Sequence, residues 1–146
     1  MIRTETTTPD MKKVIQAITN KIDVKELANV VRDNVKKRID TGKNADGSSM
    51  TPLKPATIKT KQKQGGIAPR KPLVFKGGTQ KGVQAQTVSK KEAHVVSTGM
   101  AKGYFGKNVS SKEVLKFQKG KGRDPMSVSK DDVRDVIKLV KKQLGR

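Results

Sequence analysis

The chain has 146 residues, with 33 Lys+Arg against 13 Asp+Glu, a net charge of +20, one His and no Cys or Trp. Those values exclude disulfides, thiolate nucleophiles and Cys-ligated metals, and no apolar run approaches the roughly 20 residues of a membrane span. With 32% hydrophobic and 3% aromatic residues, the expected core is small and aliphatic.

In chain order, the polar start MIRTETTTPD is unlike a signal peptide, and residues 1–9 read as a flexible arm. Pro9 and Asp10 look like a helix start, followed by Met11, Val14, Ile15 and Ile18 at helical spacing. Asp23 and Glu26 form a capping-box variant, with Ile22 and Leu27 at staple positions. Leu27, Val31, Val35 and Ile39 continue one face to Gly42, a natural C-cap after Lys36, Lys37 and Arg38. Residues 10–41 are therefore one kinked helix or two consecutive helices.

Residues 42–72 change character, forming a long basic loop rich in Gly, Pro, Thr and Lys. Thr51-Pro52-Leu53-Lys54-Pro55 is incompatible with a helix interior, and a short helix is expected over residues 56–63. Loops this long in a compact domain are usually functional or ordered by a partner. Pro72 to Phe75 then reads as the start of a β region. Val83, Ala85 and Thr87 alternate with Gln84, Gln86 and Val88, and a polar turn at Ser89–Glu92 leads to a return strand, Ala93–Ser97. Ser110 to Phe117 reads as a short helix. Ser129 caps a final helix, with Asp131 and Asp132 in its first turn and Val133, Val136, Ile137, Val140 and Leu144 as its buried stripe. The plan is an α+β single domain over residues 1–146: N-terminal helix, long Gly/Pro/Lys loop, small antiparallel sheet, C-terminal helix.

The charge is uneven. Between Asp46 and Glu92 the sequence has no acid, yet it carries Lys54, Lys59, Lys61, Lys63, Arg70, Lys71, Lys76, Lys81, Lys90 and Lys91. A helical charge run is commonly a solvated face, but a one-sided loop-and-strand stretch favours a polyanion, nucleic acid first, because each neutralised phosphate releases a counterion. The first eight of these cations are the candidate DNA-facing residues. Lys far outnumbers Arg and aromatics are scattered, which suits non-specific phosphate contact over base reading.

Enzymatic chemistry has no footing. His94 stands alone on an expected strand, no HExxH, GxSxG or P-loop pattern occurs, and Asp40 and Asp46 supply too few oxygens for a hard cation. No catalytic, cofactor or metal residue is assigned.

The run Gly42…Asp46-Gly47-Ser48-Ser49-Met50-Thr51-Pro52-Leu53…Thr57…Lys61 resembles the "G…DG…W-x-P-L…T…K" segment of tailed-phage virion morphogenesis (tail completion) proteins. Pro72-Leu73-Val74…Gly77 is similar to the "kPLi-x-tG" segment that follows it, Tyr104 to a "YA" tyrosine, and Phe117-Gln118…Gly120 with Arg123-Asp124-Pro125 to "HQ-x-G…R-x-P-f". Met50 stands where Trp is usual, Phe105 in place of Ala, and Phe117 in place of His. The resemblance implies an α+β virion subunit of the neck or tail end, assembled in the host cytoplasm into a ring of identical copies, six or twelve, around the DNA path. It also implies neighbouring neck, tail-terminator or connector proteins, DNA in the lumen, and no membrane. Composition alone supports an alternative, a free basic nucleic-acid-binding protein of ribosomal or chromatin-like type.

Overall fold

The computed structural model describes residues 11–103 and 107–145. The arm over residues 1–9, the Pro9–Asp10 helix start, and Tyr104 with Phe105 lie outside the described residues. The expected α+β organisation is present.

The N-terminal helical region is two helices, α1 (Met11–Lys21) and α2 (Val24–Thr41). They separate because Asp23 caps α2: its Oδ1 accepts the amides of Lys25 and Glu26 at 3.0 and 3.2 Å. Glu26 does not complete the capping box. The Asp23 amide donates instead to Oε1 of Gln143 at 3.0 Å, and Nε2 of Gln143 donates to Glu26 at 2.7 Å. Gly42 closes α2 in left-handed geometry, where only glycine escapes a steric penalty.

The long basic segment is largely structured. It contains α3 (Pro55–Lys63), started by Pro55 in the first helical turn, where a missing amide is harmless. A turn-rich stretch leads to the single turn α4 (Gly78–Lys81). The β region expected at Pro72 is turns instead. Its carbonyls face a side chain, as shown below, and the Val74 amide bends back to the Lys71 carbonyl at 3.3 Å, so no partner strand is engaged.

The hairpin follows expectation. Strand β1 (Val83–Ser89) pairs antiparallel with β2 (Glu92–Ser97), in the register Val83↔Ser97, Ala85↔Val95 and Thr87↔Ala93. Val83 is fully buried and Ala85 half-buried, but Thr87 is exposed along with Gln84, Gln86 and Val88, so the expected buried face ends within the strand. A second two-stranded sheet, β3 (Met100–Lys102) with β4 (Asn108–Ser110), is too short to have a sequence signal. Helix α5 (Ser111–Lys119) follows directly, and α6 (Lys130–Gln143) ends the fold behind a complete Ser129–Asp132 capping box.

Helix α2 lies between the β1–β2 hairpin and α6. The core collects Val35 and Ile39 from α2, Met50, Leu73, Val74, Val83, and Leu115 from α5. Met50 thus fills an interior position at 4% exposure, a task its flexible thioether suits. One expectation is corrected here. The stripe on α6 is only partly buried, because Val133 and Ile137 are 48% and 49% exposed. Asp132 is drawn inward by Arg38 and fixes the roll of the helix, and Val133, about 100° further round, is carried outward.

Candidate nucleic-acid interface

Helix α3 sorts its residues by face. Pro55, Ala56, Lys59, Gln62 and Lys63 are exposed, whereas Thr57, Ile58 and Thr60 are half-buried and Lys61 is buried. Lys59 and Lys63 stand one turn apart on the outward side, roughly 5–6 Å between their Cβ atoms. Lys54 precedes the helix, Arg70 lies in the following turn and Lys81 ends α4; all three are exposed. None of these five cations has an acidic partner among the described residues. Lys90 and Lys91, at the hairpin tip, are exposed as well.

The other three candidates behave differently. Lys71 reaches back to Asp40 of α2 at 2.8 Å, an exposed pair. Lys76 donates to the Gly65 carbonyl and lies 5.4 Å from the Phe75 ring centroid. Lys61 is not DNA-facing at all. It is 2% exposed, and its Nζ donates to the carbonyls of Lys71, Val74 and Pro72 at 2.6, 2.9 and 3.4 Å. An ammonium has three protons to give, and here the irregular 71–74 backbone takes them. Burial, with the Arg123 charge adding to it, pushes the Lys61 ammonium down to about 8.

Two further buried cations hold the segments around this lobe. Arg123 donates through Nε to the Thr51 carbonyl at 2.7 Å, through Nη2 to the Pro52 carbonyl at 3.0 Å, and through Nη1 to Gln118 at 2.6 Å. Arg38 makes a two-pronged contact with Asp132, at 2.8 and 3.0 Å, and also donates to the Pro125 carbonyl at 2.8 Å and to Ser129 Oγ at 3.1 Å. Burial works to raise the Asp132 carboxyl, but the bonds from Arg38, the Ser129 amide and Asn34 outweigh it and leave it below the usual range. The 42–53 segment is tied to the same region by Ala45 donating to the Asp124 carbonyl and Asn44 Oδ1 accepting from the Asp124 amide, both at 2.8 Å.

These contacts bring together residues far apart in the sequence that carry the family resemblance. Pro52, Gln118 and Arg123 meet directly. Leu73 and Met50 share the core, and Pro125 is fully buried against Arg38. Leu53 and Thr57 are half-buried, and Pro72 gives its carbonyl to Lys61. Gly47 and Gly77 adopt positive φ, whereas Gly120 caps α5 in ordinary right-handed geometry. Sequence reading missed Arg38, which looks like one more cation in the last turn of a helix; the hint lay in Ser129 and Asp132, whose capping positions it shares.

A cleft of about 1020 Å³ opens between α2, the 43–47 turn and the start of α6. Lys37, Lys43, Lys130 and Arg134 line it together with Asp46, Asp131 and Asp135, and Arg134 is paired with both Asp131 and Asp135, so it offers a phosphate chain no single sign of charge. His94 sits exposed, 2.7 Å from Glu92 on its own strand. Among the described residues no group of three or more His, Asp or Glu is placed to hold a metal ion, and no helix is long and apolar enough to cross a membrane. Compared with known proteins, the chain matches no family model, no curated protein and no solved structure.

Proposed function

We propose that this chain is a structural subunit of a tailed-phage virion, a neck or tail-completion protein whose copies close into a ring around the DNA path. The observation that carries the reading is the convergence of the resembling segments. The 50–53, 72–74 and 118–125 stretches, scattered in sequence, are bound to one another through Arg123, Lys61 and the core. Residues that make up one structural unit are the ones expected to be retained together in a family.

The outward cations Lys54, Lys59, Lys63, Arg70 and Lys81 supply the DNA-side chemistry. Diffuse phosphate contact by lysines holds a passing duplex without reading its sequence. A ring lumen asks for that behaviour, since every stretch of a genome must pass it. Closure of identical copies by one repeated contact is a heterologous assembly.

The test is genetic and structural together. Particles made without the chain should have normal heads and unattached or unfinished tails, and native mass spectrometry of the purified chain or its complex should give a closed ring. Knockout particles that join normally would sink the proposal. The rival reading, a free nucleic-acid-binding protein, draws on the same cations. It requires tight binding by the monomer, with log affinity falling by about 0.9 per contacted phosphate for each log unit of salt on duplex DNA.

A further inference from the structure

The β1–β2 hairpin stands clear of the body at one end. Its root is held, because Val83 lies in the core and Val95 packs against it. Beyond the Ala85↔Val95 pair the cover stops: of residues 86–94, every one but Ala93 is exposed. The free end keeps its pairing all the same. Gln86 pairs with His94 and Thr87 with Ala93, and in the turn the Lys91 amide donates to Ser89 Oγ at 3.2 Å. The register shifts between Thr87 and Ser89, and a bulge of that kind bends and twists the strand that carries it. Val88 sits at the shift, 61% exposed.

The charge at the tip has one sign. Lys90 and Lys91 are exposed there, with no acidic partner among the described residues. Glu92 is the only acid between Asp46 and Glu113. Its carboxylate lies 2.7 Å from Nε2 of His94, two residues further from the tip on the same strand, so it is drawn back along the hairpin. The dimensions suit a groove. Paired strands lie about 4.8 Å apart, and the four residues 86–89 project about 13 Å at roughly 3.3 Å each. The major groove of B-DNA is about 12 Å wide and 8.5 Å deep and admits a two-stranded β-ribbon. The minor groove, at about 6 Å, is half as wide.

We propose that this hairpin enters the major groove of duplex DNA as a finger, with Lys90 and Lys91 on the phosphates of the groove wall. The inference rests on the DNA side of the function proposed above and adds a contact region separate from the cations around α3. Gln86 and His94 are cross-strand partners on the side of the ribbon away from Val83. A glutamine amide both donates and accepts, so it finds a partner on any base edge, and Val88 offers methyl groups to the methyl of thymine. Such contacts set the depth of the finger without fixing the sequence beneath it. The lysines, as mobile point charges, follow the phosphates of any duplex.

The chain has no cysteine, so Val88→Cys brings in a single thiol. It is mixed with a duplex carrying a disulfide-activated tether on cytosine N4, which lies in the major groove. Cross-linking should exceed that of Lys141→Cys, an exposed position on α6, by about tenfold, the separation being set by disulfide reach. It should exceed by a similar factor the cross-linking of Val88→Cys to a tether on guanine N2, in the minor groove. Equal yields at the two positions, or in the two grooves, overturn the proposal. Lys90→Gln with Lys91→Gln should keep its circular dichroism and Tm while the log-log salt slope of duplex binding falls by about 1.8, or 0.9 for each phosphate contact. An unchanged slope in that variant also overturns it. Duplex binding that survives in the tip variant but is lost when Lys59, Lys63 and Arg70 are changed to Gln would remove the finger and leave the DNA reading intact. A wild-type chain that binds no duplex, as a monomer or as a ring, would remove both.

Discussion

Lys59 and Lys61 stand two residues apart on α3 and do opposite work. Lys59 projects into water with no acidic partner among the described residues, while Lys61 is buried and gathers three backbone carbonyls. The same division runs through the molecule. Arg38, Lys61 and Arg123 form an inner set that organises irregular backbone, and Lys54, Lys63, Arg70 and Lys81 belong with Lys59 in an outer set. The difference teaches that a composition of +20 describes two kinds of charge. In a chain with few large apolar residues, long cationic side chains take over part of the interior, because buried carbonyls outside helices and sheets must find donors. The outer set owes nothing to the fold and is available to a ligand.

The sharpest way to break this comparison is at Arg38. Arg38→Met removes the guanidinium and leaves Asp132 buried without its strongest partner, so the fold should lose about 3–5 kcal/mol in urea unfolding. A loss under about 1 kcal/mol would mean that the inner set is ornamental. The same pair predicts acid sensitivity. The Asp132 carboxyl is held below its ordinary value when folded. Its stabilisation is therefore complete above the unfolded value, about 3.9, and is lost as pH falls through the lower folded value. Asp132→Asn should abolish that part of the acid transition and lower stability at neutral pH.

Lys61 should have a smaller and more local effect. Lys61→Met strands the carbonyls of residues 71, 72 and 74, with a loss of about 1–3 kcal/mol. Amide exchange should quicken across residues 65–76 and stay unchanged where α2 meets α6. The pH response has the same sense as that of Asp132 but falls in a higher window. Because the folded ammonium titrates at about 8, against 10.5 for the free group, the unfolded chain binds more protons between those values. The Lys61 contribution to stability therefore rises with pH across that window, and the methionine variant should lack this part of the rise.

The least effect on stability is expected from the outer set. Lys59→Gln, Lys63→Gln and Arg70→Gln together should move each site's stability by no more than about 0.5 kcal/mol. Duplex DNA binding should instead lose about 0.9 of log-log salt slope for every phosphate contact removed. A triple variant that melts early would blur the distinction between the two sets.

Much of the fold was legible where a local signal decides local geometry. Asp23 and Ser129 cap helices as their positions suggest, Gly42 ends α2, and the alternation from Val83 to Val88 gives the hairpin, whose inner face is buried only at Val83. Leu73–Val74–Phe75 misled because three apolar residues satisfy a strand pattern as well as a buried turn, and only the distant Lys61 ammonium distinguishes them. The roll of α6 was hidden for a similar reason: its apolar spacing marks a stripe, but the Arg38–Asp132 pair sets which side faces α2. Of the candidate interface, the acid-free run was plain in the sequence. Which of its lysines turn inward was not, because that depends on where carbonyls without partners happen to lie.

The pairing of Arg38 with Asp132 also sets an order of events during synthesis. The two residues are 94 positions apart, and a ribosome adds roughly 5–20 residues per second. Arg38 therefore waits on the order of 5–20 s for its carboxylate, and Asp23 waits longer still for Gln143. Until the last helix is made, α2 carries an apolar face and a cation with nothing to neutralise it inside.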